Sequence, residues 1–81
     1  MRVRNNNVVY DIIQAKVIDR EIRFYYISTS QSGSYNGYGG GLSIRYLSII
    51  APTPDAVNAL LDTLYTQGYV DVSSFDGTDS F

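Results

Sequence analysis

The sequence predicts one small α+β domain: a four-stranded, mainly antiparallel sheet in the order β-β-β-α-β, with one amphipathic helix on one face. Three observations carry that expectation. Residues 8–51 hold three runs rich in Val, Ile and Tyr, the residue types that fit a pleated surface. Residues 53–68 hold one amphipathic helix with signals for both of its ends. A length of 81 residues leaves room for a single domain.

Val8 to Ile18, "VVYDIIQAKVI", is β-branched and free of Gly and Pro, which reads as a long first strand. Asp19 and Arg20 form the tight turn that follows. Glu21 to Thr29, "EIRFYYIST", returns as the second strand of a hairpin, and Leu42 to Ala51 gives the third. In the helix, Thr53 is the N-cap, Pro54 takes the first helical position and Asp55 faces the positive end of the dipole. Val57, Leu60, Leu61, Leu64 and Tyr65 then follow at i, i+3, i+4, i+7 and i+8, one apolar stripe. Gly68 stands where a left-handed residue stops a helix. Tyr69 to Phe75 reads as the last strand, closing a domain of residues 1–75. Residues 76–81 read as an acidic, frayed tail.

A chain of this length buries only roughly 60 % of its unfolded surface, so its core is small. Its 17 % of charged residues is low beside a usual value of about 25 %. A small core and a weakly charged, tyrosine-rich surface together predict a homo-oligomer. The sheet pattern agrees. Ile22, Phe24 and Tyr26 share a phase with Leu42, Ile44 and Tyr46, while Arg23, Tyr25 and Ile27 share the other with Arg45, Leu47 and Ile49. Both phases are at least half apolar, and one helix covers only one face. The expected oligomer interface is Tyr10, Ile12, Tyr25, Ile27, Leu47 and Ile49.

All six basic residues lie in the first 50 positions, while every acidic residue after Ala51 is one of five aspartates. That split suits a basic binding face or head-to-tail complementarity between subunits. With no Cys there is no disulfide and no thiolate metal site; with no His as well, the common bases, activated nucleophiles and metal ligands are missing. Neither an enzyme nor a cofactor is expected, and no metal site. No apolar run approaches the roughly 20 residues of a membrane helix, and "MRVRNNN" lacks a signal peptide's apolar segment. A soluble, cytoplasmic protein without a membrane contact is expected.

The loop "SQSGSYNGYGGGLS", residues 30–43, holds five of seven glycines. It lacks the Lys and the following helix of a phosphate-cradling loop. Twelve residues are long for a hairpin connection, and Tyr, Ser, Asn and Gly are the residues binding loops favour. Tyr35, Asn36 and Tyr38 are the expected contacts to a protein partner. The first reading is thus a binding protein, with an inhibitor's role of the kind small viral or mobile-element proteins play. The second is capture of a nucleotide-like small molecule at a subunit junction by loop N–H groups with Arg23 or Arg45. The third is single-stranded nucleic acid, stacked on Tyr25 and Tyr10 beside Arg23, Arg45 and Lys16. The six-residue acidic tail ending in Phe81 resembles the C-terminal tails of single-strand DNA-binding proteins. Overall acidity counts against that third reading.

Overall fold

The structure, a computed structural model, describes residues 1–29 and 42–80. The described residues form an α+β fold with one helix and six strands rather than four. They are β1 (Arg2–Asn5), β2 (Val8–Ile18), β3 (Glu21–Thr29), β4 (Leu42–Ile50), β5 (Tyr69–Asp71) and β6 (Asp76–Asp79), with α1 (Pro54–Gln67) between β4 and β5. The sheet order is β5-β1-β2-β3-β4-β6, antiparallel except for the β1–β5 pair.

The two additional strands lie where the sequence shows no strand signal. β1 sits in "MRVRNNN", and β6 lies in the segment expected to fray, where it pairs with the edge of β4. The last expected strand, 69–75, ends at Asp71. Short polar segments of this kind become strands through pairing rather than propensity. β4 and β5, the strands the helix links, run in opposite directions with three strands between them.

The turns and caps follow the sequence. Asn6 and Asp19 open two tight hairpins at φ 56°, a left-handed conformation that Asn and Asp tolerate. The Thr53 hydroxyl accepts from the Ala56 N–H at 3.1 Å, and Gly68 ends the helix at φ 70° with its N–H on the Leu64 carbonyl at 2.8 Å. The buried stripe is narrower than the pattern suggests. Val57, Leu60 and Leu64 are buried, Leu61 is partly so, and Tyr65 is 61 % exposed.

Chain length dictates the sheet's shape. β5 and β6 are at opposite ends of the strand order, yet only residues 72–75 connect them. In a flat sheet six strands would set these edges roughly 24 Å apart, at about 4.8 Å per neighbour. The connection reaches about 18 Å at full extension. The sheet therefore curls, and β2 is where it bends. Residues Val8–Asp11 of β2 pair with β1, Ile12–Ile18 pair with β3, and the register shifts between Ile12 and Gln14. A bulge of this kind turns a strand from one sheet layer into the next. The curl brings the two edges together. The segment after β5 stays on β1 as it turns toward β6: the Val72 N–H donates to the Arg4 carbonyl at 2.8 Å and the Asn6 N–H to the Ser73 hydroxyl at 2.7 Å. Gly77 of β6 then lies close against Asn5 of β1.

The core fills the concave side. Ile22, Phe24, Leu47 and Ile49 are fully buried there with Val3, Val72 and Leu64 of the helix. Gly77 is part of this closure: a Cβ on it would lie 2.8 Å from Ile49 Cδ1 and 3.3 Å from Asn5 Nδ2.

The register corrects the expected faces. Ile22 opposes Ile49, Phe24 opposes Leu47 and Tyr26 opposes Arg45, so even residues of β3 share a face with odd residues of β4. Ile12, Leu47 and Ile49, expected at the oligomer interface, are buried in the core. Tyr25 and Ile27 lie on the convex face, where their β4 partners are Tyr46 and Ile44.

Candidate interaction surface

The convex face is built by the residues of β2, β3 and β4 that the core does not use. After the bulge Gln14 opposes Tyr25 and Lys16 opposes Arg23, while β4 contributes Ile44, Tyr46, Ser48 and Ile50. Ile13, Ile27, Ile44 and Ile50 are 53, 49, 68 and 45 % exposed. Four isoleucines on a solvated sheet face are unusual, because alternation to polar residues is the norm.

Between them runs a polar seam. Glu21 accepts from the Ser48 hydroxyl at 2.6 Å and from Arg23 Nε at 3.0 Å. Those two contacts, the Ser48 bond first, hold the Glu21 carboxyl below its ordinary range. The same carboxylate raises the affinity of Arg23 for its proton, with further support from Tyr25. The Arg23 guanidinium lies 4.8 Å from the centre of the Tyr46 ring, which in turn tilts against Tyr25 at 5.5 Å. Arg23 is thus fixed by a carboxylate and an aromatic face at once. A shallow depression of about 300 Å³ lies beside it, lined by Ile13, Gln14, Lys16, Tyr25 and Ile44.

The concave side carries a second polar cluster near the end of the sheet. Tyr26 donates to Asp79 Oδ1 at 2.6 Å and Tyr10 to Oδ2 at 2.9 Å, with the two rings 4.8 Å apart. Burial, then the bond to the Asp79 carboxylate, pushes the Tyr10 phenol up to about 12. The same two causes act on Tyr26 in the same direction. Both hydroxyls are therefore donors at neutral pH rather than bases, and their evident role is to fasten β6 to β2 and β3. Among the described residues no group of three His, Cys, Asp or Glu side chains is placed to hold a metal ion. No described helix is long and apolar enough to cross a membrane.

The structure separates residues that the sequence grouped. Arg23 lies on the convex face, whereas Arg45 opposes Tyr26 on the concave side and its charge acts on that phenol. A stacking platform of Tyr25, Tyr10, Lys16 and both arginines is therefore not assembled. Tyr25, Lys16 and Arg23 share one face; Tyr10 and Arg45 lie on the other. Tyr35, Asn36 and Tyr38 lie outside the described residues. Sequence reasoning missed Ile13, Ile44, Tyr46 and Ile50 as surface residues. The signal was available only with the register known.

Comparison with known proteins returned no matching family model, no similar protein and no similar solved structure.

Proposed function

We propose that this chain is a non-enzymatic binding protein that self-associates through the convex surface of β2, β3 and β4. On this reading the β3–β4 loop, through Tyr35, Asn36 and Tyr38, holds a protein partner. The observation that carries the self-association is the set of exposed isoleucines, Ile13, Ile27, Ile44 and Ile50, around the half-buried Tyr25 and Tyr46. An apolar patch rimmed by polar residues is the usual mark of a protein contact. The Arg23–Tyr46–Tyr25 group adds the residue types that dominate interface energetics. The low overall charge points the same way, since charged residues are depleted at interface centres.

The test is a substitution at the centre of the face. Tyr25→Glu places a charge in the desolvated contact without touching the core, so it should turn an oligomer into a folded monomer, read by light scattering and circular dichroism. An oligomer that survives Tyr25→Glu unchanged removes the convex face from the account. For the loop, Tyr35→Ala with Tyr38→Ala should abolish partner capture while leaving the assembly intact. Capture that persists moves the binding site to the sheet.

A further inference from the structure

The cations of the convex face stand where a sheet tolerates them least. Lys16 on β2 and Arg23 on β3 oppose each other directly, and like charges in that position repel across a ladder. Glu21, two residues along β3, holds Arg23, so Lys16 leaves this row with an excess of positive charge. Lys16 is exposed and is the chain's single lysine. It also forms one wall of the depression of about 300 Å³, together with Ile13, Gln14, Tyr25 and Ile44. The row thus sets a cation beside an apolar hollow that has a tyrosine in its wall.

A second convex face answers this arrangement badly. Face to face, two copies would bring two Lys16–Arg23 rows together, and like charges juxtaposed in a contact are strongly unfavourable. The row calls for an acidic surface that also carries a large apolar side chain.

The chain has such a surface on the opposite side of its sheet. Helix α1 buries Val57, Leu60 and Leu64. Its outward stripe is Asp55, Asn58, Asp62 and Tyr65, all exposed and spaced at i, i+3, i+7 and i+10. The helix contains two aspartates and neither Lys nor Arg. Its last turn has no basic residue to offset the negative end of the dipole, which adds to the charge of Asp62. Tyr65, 61 % exposed, belongs to that turn.

We infer that the convex face of one copy receives the outward stripe of α1 from the next copy, with the Tyr65 ring in the hollow and the Asp62 carboxylate on Lys16. This inference rests on the self-association proposed above and names the surface that meets the convex face. Asp62 and Tyr65 are neighbours at i, i+3 on one side of the helix, so one approach delivers a carboxylate and a ring together. In the hollow the ring meets Tyr25 and the Lys16 ammonium, an aromatic and a cation–π contact at once. Arg23, held in place by Glu21 and Tyr46, flanks the carboxylate. Because each copy carries the two surfaces on opposite sides of its sheet, the contact is heterologous. It passes from copy to copy until a ring closes or a filament grows. The split of the chain, with every base in the first 50 positions and only aspartates as charges after Ala51, is the trace of this polarity in the sequence.

Charge reversal on each surface tests the pairing. Asp62→Lys and Lys16→Glu each set like charges against each other. Each alone should be a folded monomer by light scattering and circular dichroism, at a concentration where the unmodified chain is assembled. An equimolar mixture should assemble again, because each altered surface finds its opposite on the other variant, and that recovery shows both variants to be folded. Tyr65→Ser should raise the concentration for half-assembly by about tenfold or more. If Asp62→Lys assembles as the unmodified chain does, the helix is not the partner surface and the inference is overturned, while self-association through the convex face stands. Single variants that are monomeric and stay so when mixed overturn the pairing of Lys16 with Asp62. If the unmodified chain is itself a monomer, both readings fall.

Discussion

The two faces of the curled sheet are made of much the same residues and have opposite fates. On the concave side Ile22, Phe24, Leu47 and Ile49 are fully buried; on the convex side Ile27, Ile44 and Ile50 are 49, 68 and 45 % exposed. Phe24 and Tyr25 are chain neighbours with similar rings, yet one sits fully buried in the core and the other beside Tyr46 and Arg23. Apolar character on a strand thus does not by itself report the core. The concave set holds the fold together, whereas the convex set contributes little to the isolated domain and stays available for a second surface.

Substitutions at matched depth sharpen this contrast. The largest effect is expected in the helix that covers the concave side. Leu64 is fully buried, so Leu64→Ala should lower stability by about 2–5 kcal/mol in chemical denaturation. That is much of what a domain of this size has. Leu61→Ala, at a half-buried position, should do less; equal losses would mean that the helix is rotated on the sheet.

The clasp on β6 comes next. Tyr26→Phe removes a short bond to a carboxylate, at a loss of about 1.5–3 kcal/mol. Gly77→Ala forces Ile49 or Asn5 to move and should cost about 1–3 kcal/mol. The clasp also predicts a pH limit. Tyr10 releases its proton near 10 in the unfolded chain but at about 12 when folded. Its contribution is complete below pH 10 and is lost as pH rises from 10 toward 12. Unfolding midpoints measured across that range should fall, and Tyr10→Phe should flatten the fall.

The smallest stability effect belongs to the convex face. Ile44→Lys should change the stability of the isolated domain by less than about 0.5 kcal/mol, as exposed substitutions do. A loss comparable to that of Leu64→Ala would erase the distinction between the faces.

Much of this architecture is legible in the chain, and the gaps have specific physical causes. β2, β3, β4 and the helix declare themselves through β-branched runs, the Thr53 cap and Gly68. β1 and β6 do not, because "RVRN" and "DGTD" are strands through their partners, β1 with β2 across the Asn6 hairpin and with β5, and β6 with β4. The faces were misassigned for a different reason. Alternation shows which residues of one strand share a side, but not how two strands are registered. Even positions of β3 oppose odd positions of β4, so Ile49 and Leu47 joined the core and Ile44 and Tyr46 moved outward. In β2 the bulge near Ile13 reverses parity partway along, so Tyr10 and Ile12 face inward before it while Gln14 and Lys16 face outward after it. The separation of Arg23 from Arg45 has the same origin.

Sedimentation equilibrium on the unmodified chain and on Ile44→Lys tests the central claim most directly. The account predicts that the unmodified chain, a 9.0 kDa monomer, sediments at micromolar concentration with at least twice that mass. Ile44→Lys should sediment as the monomer, losing only the concentration-dependent part of its stability that assembly supplies. An unmodified chain that stays at 9.0 kDa throughout the concentration series would contradict the account, because its convex isoleucines would then face water with no second copy to cover them.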